Sequence, residues 1–442
     1  MYPNLYYVIK DWFGVEINAL KIFYSFGIFV ALSFITAAVF LTKELKRKEK
    51  LGLLVPREEI ITVGKPASLF EMILNGCIGF LFGFKLVGAW LATRKEGVDL
   101  QEYIFSSKGS WTGGLILAAI LIFIKFREKA KQKLVKPEQR IIRVWPHDRV
   151  GDLVIFALVF GILGAKLFDN FENWDRFIKD PVANLLSPSG LTFYGGLICA
   201  AVAITWYAAK KGIRFWPLAD SVAPALMIAY AVGRIGCQVS GDGDWGIYNS
   251  AYISDTPGHV VAATPEMFNK SLNDNSAYYL QGSVMNPDST LTPVTDRKSD
   301  NLQTVPHKAF QGPSFLPTWF FAYTYPHNVN EDGVLLPGCE GKYCRALPQP
   351  VYPTPLYETI TCSLLFLFLW SIRKKINTPG LLFGIYLIIN GLERFFIELI
   401  RVNNTYSFLG IHPTQAEIIS FLLVITGVLL VILKNNKPSL TS

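Results

Sequence analysis

The sequence predicts an all-α polytopic membrane protein with about nine transmembrane helices and a large extracytoplasmic loop domain. Its 442 residues are 51% hydrophobic and only 17% charged, whereas a soluble domain carries about 25% charged residues. The apolar residues form blocks close to the ~20 residues that a spanning helix needs. Lys and Arg lie between those blocks, so the net charge of +8 indicates membrane topology and attraction to anionic lipid rather than nucleic-acid binding.

Nine apolar segments are predicted to span the membrane. They lie near residues 18–42, 69–93, 111–126, 152–171, 193–210, 217–237, 356–373, 380–400 and 414–434. A secretory signal carries its basic residues in front of the apolar run, but the longer basic run of the first segment follows it, at 43–50. We therefore expect an uncleaved first span.

Basic clusters set the expected orientation. They occupy 43–50, 125–149, 210–214, 373–375 and 434–437, and all fall on one side of the nine predicted spans. Loops rich in Lys and Arg stay in the cytoplasm. The amino terminus is thus predicted outside and the carboxyl terminus in the cytoplasm.

Two predicted hairpins in the first half resemble each other. Residues 83–86 read G-F-K-L and residues 164–167 read G-A-K-L, while 113–116 and 195–198 both read G-G-L-I. The register is kept, since the offsets are 81 (164 − 83) and 82 (195 − 113) residues. The pattern favours a duplicated hairpin over chance similarity of glycine-rich helices. Only the second copy is expected to keep chemistry, because the first has Trp-Thr where the second has Phe-Tyr.

The chain is predicted to fall into five segments. These are 1–68, the first span and its basic loop; 69–150, an extra hairpin and first repeat copy; 151–246, core helices with the second copy; 247–350, an extracytoplasmic loop or small cap domain; and 351–442, three C-terminal spans. In the cap, a modest core is expected from Trp319, Phe320, Phe321 and Tyr323. A local disulfide between Cys339 and Cys344 is possible if this loop is extracytoplasmic.

An arginine inside an apolar segment is the strongest sign of a site. Arg234 lies in G-R-I-G-C-Q-V-S-G-D-G-D-W-G, residues 233–246, where the sixth apolar segment becomes polar and glycine-rich. A charge inside the bilayer costs roughly 2.5–3.5 kcal/mol on insertion scales, and irregular polar backbone is tolerated only against protein or a water-filled cavity. We predict an anion site at one membrane face; a snorkelling arginine is the structural alternative. Asp242 and Asp244 lack the full calcium-loop pattern, so no metal or other cofactor is predicted.

A second arginine lies on the eighth apolar segment. Asn390, Arg394, Glu398 and Arg401 follow one another at spacings of four, four and three, which places them on one helix face. A polar stripe on an apolar helix faces the interior of the bundle. Arg394 is either an ion-pair partner of Glu398 or joins Arg234 in binding phosphate, for which the guanidinium fork is suited.

Two helix entrances supply further candidates. Gly195 and Gly196 follow Tyr194 at the start of the fifth segment and are expected to leave amides open to an anion. Tyr194 belongs either to that site or to an interfacial tyrosine belt. Glu358, near the start of the seventh segment, is interpreted more as a structural group favoured by the helix dipole than as a catalytic one.

Four motifs together resemble the prolipoprotein diacylglyceryl transferase family. The run at 233–246 resembles the family's G-R-[IL]-G-N-F-x-N-G-E-x-W-G, and F-Y-G-G-L-I at 193–198 resembles F-H-G-G-L-I. Y-P-T-P-L-Y-E at 352–358 resembles H-P-S-Q-L-Y-E, and E-R-F-F-I-E-L-I-R at 393–401 resembles F-R-[FI]-x-x-E-F-F-R. Order and spacing agree over 152–434 with the large loop set aside, and the first span also fits the family pattern.

The family's functional positions are only partly kept. The retained ones are Arg234, Gly246, Arg394, Glu398 and Arg401. The family's two histidines are Tyr194 and Tyr352 here, its asparagines are Cys237 and Ser240, its glutamate is Asp242 or Asp244, and its first-span tyrosine is Phe26, with Tyr24 close by. The phosphate-binding half of the pattern therefore persists, while the base is altered.

The resemblance implies transfer of a diacylglyceryl group from phosphatidylglycerol to the lipobox cysteine of a prolipoprotein in the bacterial cytoplasmic membrane, with release of glycerol phosphate. Arg234 and Arg394 are expected to stabilise the departing phosphate. Tyr194, with Glu398 behind it, is the candidate base for the thiol. The supporting positions are Tyr24, Asp242, Asp244, Gly246, Tyr352, Glu358 and Arg401. Two alternatives stay open: a transporter or flippase of an anionic lipid or solute, and a non-catalytic lipid-binding member.

Overall fold

Long helices dominate the computed structural model, which describes residues 1–93, 103–104, 106–187, 190, 192–285, 291–295, 297–402 and 413–435. Seven of the described helices are long and apolar enough to cross a membrane: Ser25–Lys50, Leu69–Ala92, Pro146–Glu172, Phe193–Lys210, Phe215–Ser240, Thr354–Ile372 and Gln415–Asn435. The predicted polytopic membrane protein is thereby confirmed. Lys437, one of the basic residues used for orientation, lies outside the described residues.

Two more helices coincide with the remaining predicted spans. Trp111–Gln132 and Leu381–Glu398 cover the segments predicted at 111–126 and 380–400, but neither is among the seven helices that are long and apolar enough to cross a membrane. The second of them includes Glu393, Arg394 and Glu398. The count of nine spans therefore stays a prediction.

The segments between the long helices contain β-ribbons and short helices. Among the described residues, five two-stranded ribbons pair Arg57–Val63 with Glu138–Val144, Tyr248–Asn249 with His307–Lys308, Tyr252–Thr256 with His259–Ala262, Ser283–Met285 with Leu291–Pro293, and Val334–Leu335 with Arg345–Ala346. Short helices occupy Leu5–Phe13, Asn18–Ile22, Trp174–Lys179, Pro181–Leu186, Pro265–Asp274, Ser276–Gln281, Leu302–Thr304 and Thr318–Phe320. The all-α prediction thus holds for the apolar spans and misses the ribbons.

The chain forms two compact units. One, the hairpin unit, comprises Val15–Ile22 and Ala38–Leu218, and the other, the Arg234 unit, comprises Met1–Gly14, Phe23–Ala37 and Ala219–Ser442.

In the hairpin unit, the two helical hairpins are built with the same contacts. A side chain at Gly83 would collide with the backbone of Gly113, and one at Gly164 would collide with the backbone of Gly195. These glycines let the two helices of each hairpin approach closely. The equivalent positions are the ones that the sequence repeat aligns.

Hydrogen bonds repeat between the hairpins as well. The amide of Ser110 donates to the carbonyl of Phe84 over 2.8 Å, and the amide of Thr192 donates to that of Ala165 over 3.1 Å. The ammonium of Lys85 donates to the carbonyls of Ser106 and Lys108, and that of Lys166 lies 3.4 Å from the carbonyl of Gly190. Each lysine therefore contacts backbone carbonyls shortly before the second helix of its own hairpin.

In the Arg234 unit, helix Leu381–Glu398 is fixed at both sides. Its amino end is capped by the buried carboxylate of Asp220, which accepts the amides of Gly380 over 2.8 Å and Phe383 over 2.9 Å. Farther along, Gly391 lies against the backbone of Ser420 in helix Gln415–Asn435. These contacts set the orientation of the helix that carries Arg394.

The described part of 247–350 has its own apolar core. It consists of Ile253, Phe268, Leu272, Tyr278, Tyr279 and Val305. The aromatic residues expected to form the core contribute unequally, because Phe321 is buried whereas the Trp319 side chain is 51% exposed. Cys339 and Cys344 form the disulfide that the sequence left open.

Candidate functional site

A fully buried carboxylate lies at the centre of the candidate site. Glu358 is in the second turn of helix Thr354–Ile372, and its side chain has no exposed surface. Arg234 Nε lies 2.9 Å from Glu358 Oε2, and Arg394 Nη1 lies 3.2 Å from Glu358 Oε1. Arg401 Nη1 is 3.7 Å from Oε1, and the hydroxyl of Tyr230 donates to Oε1 over 2.7 Å. The two predicted phosphate-binding arginines therefore converge, and both contact the same carboxylate.

Asp244 is a second anionic partner of the cluster. One of its carboxylate oxygens contacts Arg234 Nη1, and the other lies 2.7 Å from Arg401 Nη2. Burial by itself raises the pKa of Asp244, but the charges of Arg234 and Arg401 outweigh this, so the pKa lies below the ordinary aspartate value. The side chain is 36% exposed, which makes Asp244 the accessible edge of the cluster.

The charges of the cluster balance. Arg394 Nη2 lies 3.4 Å from Glu398 Oε2, an ion pair within one helix. Three arginines, Arg234, Arg394 and Arg401, thus face three carboxylates, those of Asp244, Glu358 and Glu398. Such pairing lowers the cost of burying the guanidinium groups. Both interpretations of Arg394 are compatible with this geometry, because it contacts Glu398 and also shares Glu358 with Arg234.

Gly246 brings three segments together beside the arginines. Its amide donates to the carbonyl of Tyr352 over 2.9 Å, and the next amide, of Ile247, donates to the carbonyl of Ile400 over 2.9 Å. A Cβ at Gly246 would lie 2.9 Å from Thr354 Cγ2 and closer still to the Ile400 carbonyl. The position requires glycine for space, since any side chain would push the segments apart.

Arg234 is flanked by two glycines that differ in their surroundings. A Cβ at Gly236 would lie 2.9 Å from Cβ of Phe29, so helix Ser25–Lys50 packs closely there, whereas one at Gly233 would meet nothing within 4 Å. Gly236 therefore admits a close neighbour, whereas Gly233 borders open space.

Cys237, Asp242 and Asp244 offer ligand atoms that lie within 4.8 Å of one another. Burial and the neighbouring charge of Asp244 raise the pKa of Asp242. Both oxygens of Asp244 already contact guanidinium groups, and a cation would lie against those positive charges. This group does not fit a metal ion.

Three of the predicted residues lie at the start of one helix. Tyr194, Gly195 and Gly196 begin helix Phe193–Lys210 in the hairpin unit. A side chain at Gly196 would collide with the carbonyl of Gly161, and the Gly196 amide donates to the carbonyl of Thr192 over 3.2 Å. This amide is therefore not open to an anion, and the glycine serves close helix packing.

Two predicted tyrosines have structural contacts. The Tyr24 backbone pairs with Asn4 just before helix Ser25–Lys50. The hydroxyl of Tyr352 donates to the carbonyl of Lys308 over 2.9 Å. Burial, with a smaller contribution from Tyr252, raises the pKa of Tyr352 to about 12, so its phenol stays protonated at neutral pH and is a poor base.

Sequence reasoning missed two members of the site. Tyr230 lies four residues before Arg234, where one helical turn places it on the same face, and its hydroxyl accepts from Arg234 Nη2 over 3.3 Å. Glu393 is not part of the predicted polar stripe, yet it is only 6% exposed and contacts the thiol of Cys362. The i, i+4 spacing from Arg234 was a signal that could have identified Tyr230. The sequence around Glu393 carries no such signal, because its burial depends on a neighbouring helix.

These helices and this cluster define a polytopic membrane protein with a buried arginine–carboxylate site. The sequence model of the family "Prolipoprotein diacylglyceryl transferase" matches residues 103–433. The chain belongs to that family. The match begins well before residue 152, where the motif resemblance was expected to start.

Curated relatives agree with the family match. A phosphatidylglycerol–prolipoprotein diacylglyceryl transferase of Shouchella clausii is 24% identical over 343 residues, which cover 76% of this chain and 91% of the relative. One of Clostridium novyi is 24% identical over 339 residues, covering 76% and 96%. One of Vibrio vulnificus is 33% identical over 122 residues, covering 27% and 43%.

Proposed function

We propose that this chain transfers a diacylglyceryl group from phosphatidylglycerol to the lipobox cysteine of prolipoproteins, the first step of lipoprotein maturation. The observation that carries the proposal is the convergence of Arg234, Arg394 and Arg401 on the buried Glu358. Family membership and the names of the relatives support the same reaction. Both substrates lie in or at a membrane, as the apolar helices require.

The lipid phosphate enters this cluster from the side of Asp244. Asp244 is 36% exposed, whereas Glu358 and Glu398 have no exposed side-chain surface. A phosphate carries the same sign of charge as a carboxylate and accepts bidentate hydrogen bonds from guanidinium groups. It can therefore take the place of Asp244 beside Arg234 and Arg401, while Glu358 holds the arginines in position.

The covalent step is a displacement at carbon. The cysteine thiolate of the prolipoprotein attacks the carbon of the diacylglycerol moiety that bears the phosphate ester, a C–S bond forms, and the C–O bond of that carbon breaks. The bonding electrons leave with glycerol phosphate, whose growing charge the arginines stabilise. The thiol proton goes to a base, for which the phenolate form of Tyr194 is our candidate, with Glu398 supporting Arg394. No cofactor takes part.

The proposed topology has nine spans with the amino terminus outside. Strand Arg57–Val63 pairs with Glu138–Val144, so the number of crossings between them is even. Because Leu69–Ala92 is a candidate span, this pairing supports Trp111–Gln132 as a second one. The bond between the amide of Ile247 and the carbonyl of Ile400 likewise supports Leu381–Glu398 as a span, because Thr354–Ile372 is a candidate span. With the basic loops inside, the arginine cluster faces outward in the cytoplasmic membrane of a bacterium.

The predicted segments have different roles in this proposal. Residues 151–246 hold two of the four family motifs and 351–442 hold the other two. Residues 69–150 are a copy of the second hairpin without its Phe-Tyr pair, and 247–350 form the extracytoplasmic cap. The repeated hydrogen bonds of Ser110 and Thr192 support the duplication.

A transfer assay tests the reaction. Purified protein is incubated with phosphatidylglycerol labelled in its acyl chains and a lipobox peptide, and the thioether product is measured. Arg234→Ala should reduce product formation at least about 100-fold, the range for loss of one preorganised charge-stabilising donor, while the protein remains in the membrane. Arg373→Ala, at the opposite end of the Glu358 helix, is the matched control and should retain activity.

The assay also separates the alternatives. Lipid binding without product in the unaltered protein would indicate a non-catalytic member, and lipid movement across vesicles without product would indicate a flippase. Full activity of Arg234→Ala would refute the phosphate assignment. Full activity of Tyr194→Phe would remove Tyr194 as the base and leave the rest of the proposal standing.

A further inference from the structure

One stretch of the cap differs in composition from its surroundings. Residues 309–325, A-F-Q-G-P-S-F-L-P-T-W-F-F-A-Y-T-Y, contain no Asp, Glu, Lys or Arg and include seven aromatic residues. The rest of 247–350 is polar and charged. A run of this kind in a water-exposed loop would be expected to be buried.

Much of this stretch is nevertheless exposed. Phe315 is 82% exposed, Trp319 51% and Phe310 49%. Large apolar side chains grouped on a surface mark an interaction site rather than ordinary surface variation.

The exposed residues belong to a closed loop with a fixed base. Asn249, which is fully buried, donates to the carbonyls of Phe310 and Phe321 over 2.8 and 3.1 Å and accepts the Phe310 amide over 3.1 Å. The rings of Phe310 and Phe321 are 5.6 Å apart. One buried amide thus pins both ends of residues 310–321, and the aromatic side chains are presented by a built loop.

The loop is tied to the start of an apolar helix. The hydroxyl of Tyr357, in the first turn of helix Thr354–Ile372, donates to the carbonyl of Phe320 over 2.7 Å, and the two rings are 5.5 Å apart. Farther along this helix, exposed apolar residues recur at Ile360, Leu364, Leu367 and Phe368. The aromatic loop therefore continues, at the helix entrance, the apolar surface that this helix presents to lipid.

We propose that residues 310–321 form a membrane-inserting loop, whose Phe315, Leu316 and Trp319 side chains enter the outer interfacial region of the bilayer. The partner is the lipid surface itself. Aromatic side chains prefer this depth, where rings are partly buried and polar backbone can reach water. Insertion holds the cap against the membrane at the amino-terminal end of the helix that carries Glu358, independently of the reaction proposed above.

The test uses the native tryptophans in vesicles. The full-length protein is reconstituted in phosphatidylglycerol–phosphatidylcholine vesicles with brominated acyl chains, which quench tryptophans in contact with lipid. Of the ten tryptophans, Trp319 is removed as Trp319→Phe. The matched control is Trp206→Phe, since Trp206 is also 51% exposed and lies in helix Phe193–Lys210, a candidate span.

Brominated lipid should remove less tryptophan emission from Trp319→Phe than from the unaltered protein, by about the same difference as for Trp206→Phe. Adding Phe315→Trp to Trp319→Phe should restore the emission that brominated lipid removes. If the emission removed by brominated lipid falls in Trp206→Phe but is unchanged in Trp319→Phe, the proposal is wrong. If acrylamide reaches Trp319 in vesicles and only a lipobox peptide protects it, the loop binds prolipoprotein instead of lipid and the proposal is also wrong. Far-UV circular dichroism of each variant checks that the helices are retained.

Discussion

At the scale of single residues, the site depends on one buried carboxylate more than on any one arginine. Glu358 contacts three guanidinium groups and a tyrosine hydroxyl. Without it, three positive charges would share a buried space with too few partners, a situation that costs several kcal/mol. The sequence identified all three arginines by their depth and spacing, but it ranked Glu358 as a helix-dipole group. Contacts across helices leave no periodic pattern in one sequence.

Two neighbouring aspartates should respond to pH with opposite signs. The pKa of Asp244 lies below its ordinary value because Arg234 and Arg401 outweigh the effect of burial. Its ionised form therefore stabilises the fold above about pH 4, and this contribution is lost as the pH falls through the lowered pKa. The pKa of Asp242 is raised by burial and by Asp244. Its ionisation therefore opposes folding once the pH rises through the raised pKa.

We expect Asp244→Asn to destabilise the protein at pH 7 by roughly 1–2 kcal/mol, a value between those of exposed and buried ion pairs. Asp242→Asn should stabilise it at pH 7, and the gain should vanish near pH 3, where the aspartate is protonated in both states. Thermal unfolding of the purified protein between pH 3 and 8 measures both effects. Equal shifts of the same sign for the two variants would contradict the assignment of opposite electrostatic environments.

At the scale of elements, the apolar helices were predictable and the ribbons were not. A run of about twenty apolar residues has few alternatives to a spanning helix. Strands Arg57–Val63 and Glu138–Val144 are exposed over most of their length, so neither shows the alternation that marks a half-buried strand. The bounds of the first span also differ from the prediction, since its helix is Ser25–Lys50 rather than 18–42. The helix continues through the basic run at 43–50 because that run consists of strong helix formers.

A pair of glycines from one motif tests the packing of the site. Gly246→Ala should disrupt the junction of three segments, because its Cβ would collide with the carbonyl of Ile400 and crowd Thr354. Overpacking of this kind costs about 1–3 kcal/mol, and transfer activity should fall with it. Gly233→Ala is the matched control, since its Cβ would meet open space within helix Phe215–Ser240.

Melting temperature and transfer rate should therefore separate the two variants. Gly233→Ala should be neutral or slightly stabilising, by up to about 1 kcal/mol, because alanine favours the helix. A Gly246→Ala protein with unchanged stability and activity would show that the junction is less closely packed than the structure indicates.

At the scale of the whole molecule, composition was sufficient for the class of protein and insufficient for its assembly. Low charge and long apolar blocks predicted a polytopic membrane protein. The division into two units was not foreseen, because helix Phe215–Ser240 reads as one apolar run although its first residues, through Leu218, belong to the hairpin unit. Which helices pack together depends on glycine contacts such as Gly391 with Ser420, and these are not visible before the helices are placed.

The nine-span topology makes a prediction for the two loops that it places on opposite sides. Thr62→Cys lies in strand Arg57–Val63, which the basic clusters put in the cytoplasm, and Ser299→Cys lies in the proposed extracytoplasmic cap. In intact cells, a membrane-impermeant maleimide should label Ser299→Cys and spare Thr62→Cys, and permeabilisation should expose both. Cys77, exposed in helix Leu69–Ala92, is replaced by Ser in both variants so that the introduced thiols dominate the signal.

Labelling at Gln139→Cys should follow that at Thr62→Cys, its partner across the ribbon. Opposite labelling of that pair would break the parity argument, and with it the crossing of Trp111–Gln132.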